Sequence, residues 1–136
     1  MSDEYPWLGR RTWTQTEAAA ALPLVRRIVE DLVLTYRRWQ ETVEAFEYAT
    51  SGSKADEPNP DAEQLMVNAQ KRAAEIDGFR AELAQLDIRV TRVECGVIAF
   101  RSEKEGEAVP LFWMPGTAAP GYDCPESVTV KGTSNS

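Results

Sequence analysis

The chain has 136 residues, 43% of them apolar and 27% charged, with a formal net charge of −7 and no histidine. That length fits one domain with one core, no run approaches the ~20 apolar residues of a membrane span, and the acidic balance argues against nucleic acid or an anionic membrane as a partner. Without imidazole, one subunit cannot build a Ser-His-Asp or Cys-His site, His-ligated zinc or haem, or the Glu-x-x-His di-iron pattern of helical bundles.

Residues 1–12 read as an N-terminal arm. "MSDEYPWLGRR" carries acids early and lacks the apolar segment of a secretory signal, so a cytoplasmic location is the expectation. Thr14 followed by Glu17 has the spacing of a capping box, in which hydroxyl and carboxylate satisfy reciprocal backbone donors, and the alanines after it favour helix. Proline disfavours helical geometry in the residue before it, so a short leading helix is expected to end or kink at Pro23.

From Pro23 to about Tyr48, Val25, Val29, Leu32, Tyr36, Trp39, Val43 and Phe46 alternate spacings of four and three, the signature of a heptad seam on a long helix. Thr50 to Pro60, "TSGSKADEPNP", is a loop of turn formers and charges. Asp61, with Gln64 three positions on, is the expected cap of a second helix carrying Leu65, Ala69, Ile76, Phe79, Leu83 and Leu86. Matched lengths and a short connection predict an antiparallel hairpin within 14–86.

After Leu86 the composition turns β-branched. "DIRVTRVECGVIAF" exchanges its faces between Val90 and Val93, which predicts a bulge or turn there, and "RSEKEGEA" supplies a turn at Gly106. Expected strands are 88–90, 97–101 and 111–114, followed by a Pro/Gly loop that completes a sheet unit over 87–126, with 127–136 as a disordered tail. The fold class is therefore α+β, mainly α: a long antiparallel helical hairpin with a short leading helix and a small antiparallel β-sheet at the C-terminal end, in a single domain.

Other constellations carry little chemistry. Glu41, Glu44 and Glu47 recur every three residues, as the polar face of a helix does. The pairs Arg26/Arg27 and Arg37/Arg38 are followed four residues later by acids, which makes a charge-balanced face rather than a basic patch. Cys95 and Cys124 have neither redox-pair nor zinc-ligand spacing, and both are expected to be thiols. No catalytic residue, metal set or cofactor emerges.

The opening "WTQTEAAAALPLV", the helical pair with its loop, and the tail "GVIAFRSEKEGEAVPLFWMPG" resemble an uncharacterised prokaryotic family, number 2203 of the domain-of-unknown-function series. The resemblance rests on Trp13, Thr14, Glu17, Ala18, Leu22 and Pro23 at one end and runs to about Glu126. At the other end Trp113, Gly116 and Tyr122 fit the family pattern, while Asp123 and Cys124 stand where it has Trp and His. Any role of that histidine does not transfer to this chain.

Three functions are compatible with these residues. The favoured one is a non-enzymatic interaction or assembly module, a homodimer or other homo-oligomer or a binder of another protein, with Val29, Leu32, Tyr36, Trp39, Val43 and Phe46 as the interface. The second is a small-ligand or metal-binding protein whose pocket between sheet and hairpin uses Trp39, Trp113, Tyr122, Asp123 and Cys124. The third, less favoured, is a thiol-dependent enzyme using Cys124.

Overall fold

Helix α1 spans Gln15–Thr50 and α2 spans Pro60–Gln85; β1 (Arg89–Arg92), β2 (Val97–Lys104) and β3 (Glu107–Trp113) follow as an antiparallel sheet in the order β1-β2-β3. This computed structural model describes residues 5–52 and 57–124, and the tail expected over 127–136 lies outside them.

The Thr14 capping box forms: Glu17 N–H donates to Thr14 Oγ1 at 3.0 Å, and Thr14 N–H donates to Glu17 Oε1 at 2.9 Å. The helix it starts does not stop at Pro23, contrary to the sequence expectation of a separate leading helix; Pro23 lies inside α1. The proline ring removes the hydrogen bond to the Ala19 carbonyl, but Ala19, Ala20 and Pro23 are all exposed, so the freed acceptor is on the solvent side of the helix. On the opposite face Ala18, Leu22 and Val25 are buried, and their packing holds the helix through the proline.

The second helix also begins differently from expectation. Its cap is Asn59 rather than Asp61: Asn59 Oδ1 accepts from Ala62 N–H at 3.1 Å, and Pro60 takes the first helical position, where no donor is needed. Asn59 Nδ2 also donates to the Ala49 carbonyl at 3.1 Å, tying the start of α2 to the end of α1. Asp61 remains in the first turn, where its charge suits the helix dipole.

Helix α2 ends in a Schellman motif with Asp87 in the left-handed region, φ 65°. Ile88 N–H donates to the Leu83 carbonyl and Asp87 N–H to that of Ala84, both at 2.9 Å, and buried Ile88 and Leu83 supply the hydrophobic contact of the motif. The Asp87 carboxylate then accepts the Arg11 backbone N–H. A side chain on Gly9 would collide with Asp87, so the arm crosses this junction only with glycine there. Leu8 is buried, and Trp13 N–H reaches the Arg101 carbonyl of β2 at 2.7 Å.

Strands are displaced by a few residues from the sequence reading and β2 is longer than expected, but the register shift falls between Val90 and Arg92, where the faces exchange. Glu105 and Gly106 both have positive φ, 55° and 80°, as a two-residue hairpin turn between Lys104 and Glu107 requires. Gly96 combines φ 76° with close packing: a Cβ would stand 2.7 Å from Val29 Cγ1 and 2.8 Å from Val33 Cγ2. The turn before β2 therefore seats directly on α1.

One core joins these parts: Trp13 from the arm, Leu22, Val25, Val29 and Leu32 from α1, Ile76 and Leu83 from α2, and Ile98, Phe100, Leu111 and Trp113 from the sheet. Trp13 meets Phe100 edge to face at 5.1 Å. The extents of the two layers differ. The 36 residues of α1 give about 54 Å of helix, whereas the eight of β2 give roughly 26 Å of strand. The buried residues of α1 accordingly end at Thr35.

Candidate functional site

The heptad seam does not end where the sheet does. Past Thr35 it continues as Tyr36, Trp39, Val43 and Phe46, all half-buried. Opposite them α2 presents Met66, Ala69, Gln70 and Ala73, and between the two rows lies an open groove of about 270 Å³. Towards the hairpin tip it adjoins a second hollow of about 420 Å³, which shares Phe46 and Met66 and is floored by Ala62 and Asn59. The short side chains of Ala69 and Ala73 do not fill the space beside Trp39, Val43 and Phe46, which leaves a trough. Tyr36 and Trp39 pack at 5.6 Å, which fixes the inner end. Thr50 Oγ1 donates to the Phe46 carbonyl at 2.9 Å near the outer end.

The trough is lined mainly by apolar side chains and is partly exposed on its α2 side, where Met66 is 44% exposed. It holds no arrangement for acid-base or nucleophilic chemistry. Among the described residues no group of three or more Cys, Asp or Glu comes close enough to hold a metal ion. What the site offers is apolar area with charged margins.

The residues named from the sequence fall into three places. Val29 and Leu32 are 0% exposed and belong to the internal core, so they present no surface to a second molecule. Tyr36, Trp39, Val43 and Phe46 form the α1 side of the trough. Trp113 belongs to the core, and Tyr122, Asp123 and Cys124 follow Gly121, which pairs with Phe112 of β3.

Trp113 is fully enclosed, and its indole N–H donates to the Thr117 carbonyl at 2.9 Å, which makes it a core residue rather than a pocket wall. The Pro/Gly segment after it folds back on β3: Phe112 N–H donates to Gly121 O at 2.7 Å, and Gly121 N–H donates to Phe112 O at 3.0 Å. Pro120 is buried beneath this closure, and Gln15 Nε2 reaches its carbonyl at 3.0 Å. Tyr122 lies outside, 37% exposed, with the Lys104 ammonium 4.9 Å from its ring centre. Asp123 is exposed and Cys124 half-buried. The stretch closes the sheet.

Sequence reasoning missed Gln70, Ala73 and Asn59. Ala73 continues the Met66–Ala69 row at helical spacing, a signal that can be read once the alanines are seen as the floor of a contact rather than as filler. Asn59 followed by Pro60 is the commoner start signal than Asp61 alone, and it was open to reading.

The architecture defines a small α+β protein built on a helical hairpin, and no described helix is long and apolar enough to cross a membrane. Residues 11–122 match the family described as "Uncharacterized conserved protein (DUF2203)", and the chain belongs to that family. The match ends at Tyr122, next to the Asp123 and Cys124 positions where the pattern was expected to change. No curated protein and no solved structure matches significantly.

Proposed function

We propose that the protein is an assembly module that associates through the outer half of its helical hairpin. The observation that carries this reading is the continuation of the apolar seam beyond the sheet: Trp39, Val43 and Phe46 repeat the spacing of Val25, Val29 and Leu32, but they are only half-buried and border an open groove. A seam of that kind is stabilised when a second apolar face removes it from water, at about 25 cal/mol per Å². An exposed apolar trough with polar margins is a usual form of protein interaction site.

The test is sedimentation of the full chain with a Phe46→Glu variant as control. The wild type is expected to be dimeric at about tens of micromolar, and Phe46→Glu monomeric, with the same far-UV circular dichroism. A wild type that stays monomeric in that range sinks the proposal. The groove volume also favours a second reading, a small apolar ligand in the same trough, because it approaches the size of small-molecule sites. Ligand-induced rises in melting temperature across a panel of small apolar compounds, lost in Phe46→Glu, support that reading instead.

A further inference from the structure

The net charge of the chain is concentrated at the trough. Between Trp39 and Gln70 there are seven acids against one base, Lys54, so −6 of the overall −7 belongs to this stretch and the remainder is nearly neutral. Two of those acids, Glu57 and Glu63, line the outer hollow together with Phe46 and Met66. A third, Glu47, follows Phe46 and lies one helical turn beyond Val43, exposed. Among the described residues no ion pair engages any of the three, whereas Glu75, Asp87 and Glu94 each find an arginine. The inner hollow, between Trp39, Val43, Ala69 and Ala73, has no charged group in its lining. The site is an apolar floor that runs into an acidic end.

Its length and its walls specify the kind of segment that fits. Trp39 and Thr50 mark the two ends on α1, roughly 16 Å or about three helical turns apart. A helix laid there pairs its own backbone groups, while an extended strand finds walls whose backbone groups are already paired within α1 and α2. Helical side chains at spacings of three and four enter such a groove as anchors. Charge then selects among helices. A second copy that associates through its own outer half brings another −6 to the same place, and a segment with lysine or arginine is attracted where the copy is repelled.

We propose that the trough is a docking site for an amphipathic helix of another protein, about three turns long, apolar on one face and cationic at the end that lies over Glu57 and Glu63. The inference goes beyond self-association and rests only on the trough being an association surface. It makes the second copy the weaker occupant, which the cationic helix displaces.

Fluorescently labelled peptides of about four helical turns test it, with leucine at helical spacing and either lysine or glutamate between, and a third with the leucine-lysine composition scrambled out of helical register. Anisotropy titrations with the full chain are expected to show binding of the lysine peptide, none of the glutamate peptide, and at least about tenfold weaker binding of the scrambled one. Glu57→Gln with Glu63→Gln raises the dissociation constant of the lysine peptide by about five- to tenfold, as the loss of exposed charge contacts predicts. Glu103→Gln with Glu107→Gln, an equal change of charge on the sheet, leaves it unchanged, with melting temperature as the check of folding. Added salt weakens the peptide complex and strengthens self-association. Equal binding of ordered and scrambled peptides, or equal effects of the two variant pairs, reduces the attraction to net charge and overturns the proposal. A monomeric wild type that binds the lysine peptide removes self-association and supports the cationic helix as occupant. A dimer that this peptide neither binds nor dissociates overturns the cationic helix and leaves self-association intact.

Discussion

The inner and outer halves of the hairpin carry the same apolar spacing and have different fates. Leu32 and Phe46 lie two heptads apart on one seam of α1, yet Leu32 is fully enclosed by α2 and the sheet, whereas Phe46 borders an open trough. Nothing in the helix itself distinguishes them. The difference comes from the reach of the sheet, whose longest strand covers about half the length of α1. A heptad seam thus reports that a surface must be covered, and it does not report whether the cover belongs to the same chain.

The sharpest way to break that contrast is truncation on each side of it. Leu32→Ala is expected to lower the unfolding free energy by about 3 kcal/mol, because the enclosed site cannot collapse around the cavity. Phe46→Ala, measured in urea at concentrations low enough for the monomer, should lower it by under about 1 kcal/mol, since water already reaches the ring. Equal losses would show that the two halves are covered alike.

Gly96→Ala tests the contact where the sheet region meets α1. The substituted residue keeps a left-handed backbone and pushes on Val29 and Val33, with an expected loss of about 2 kcal/mol in thermal or urea unfolding. A neutral result would mean that the turn can lift from the helix, and the inner half would lose its claim to be rigidly capped. The smallest effect belongs to the outer end. Asn59→Ala removes the cap of α2 and the tie to Ala49, at about 1 kcal/mol, and hydrogen exchange should rise in the first turn of α2 while the Leu83 region stays protected.

Local signals were legible where one residue type has one use. The Thr14 capping box, the loop after Thr50, the face exchange near Val90 and the turn at Gly106 all follow from side-chain chemistry or glycine's backbone range. Pro23 misled because its cost depends on which side of the helix it faces, and its exposure is decided by packing rather than by neighbours in sequence. The candidate site divided along the same line. Trp39, Val43 and Phe46 were readable as a seam, but separating them from Val29 and Leu32 required knowing where the sheet stops. Trp113 and Tyr122 looked alike as aromatics near a Pro/Gly loop; the Phe112–Gly121 pairing buries one and leaves the other outside.

The hydrogen bond from Trp13 to Arg101 bears on the order in which the molecule can complete itself. The hairpin and the sheet join neighbours in sequence, and each can begin to form as it is made. The arm cannot: Trp13 is synthesised before its partners, and Phe100 and Arg101, which receive its ring and its amide, emerge on the order of ten seconds later at usual elongation rates. Until then its indole is left without its native cover on the nascent chain. A segment made before the sheet is thus seated only after it, and its docking ties the start of α1 to β2.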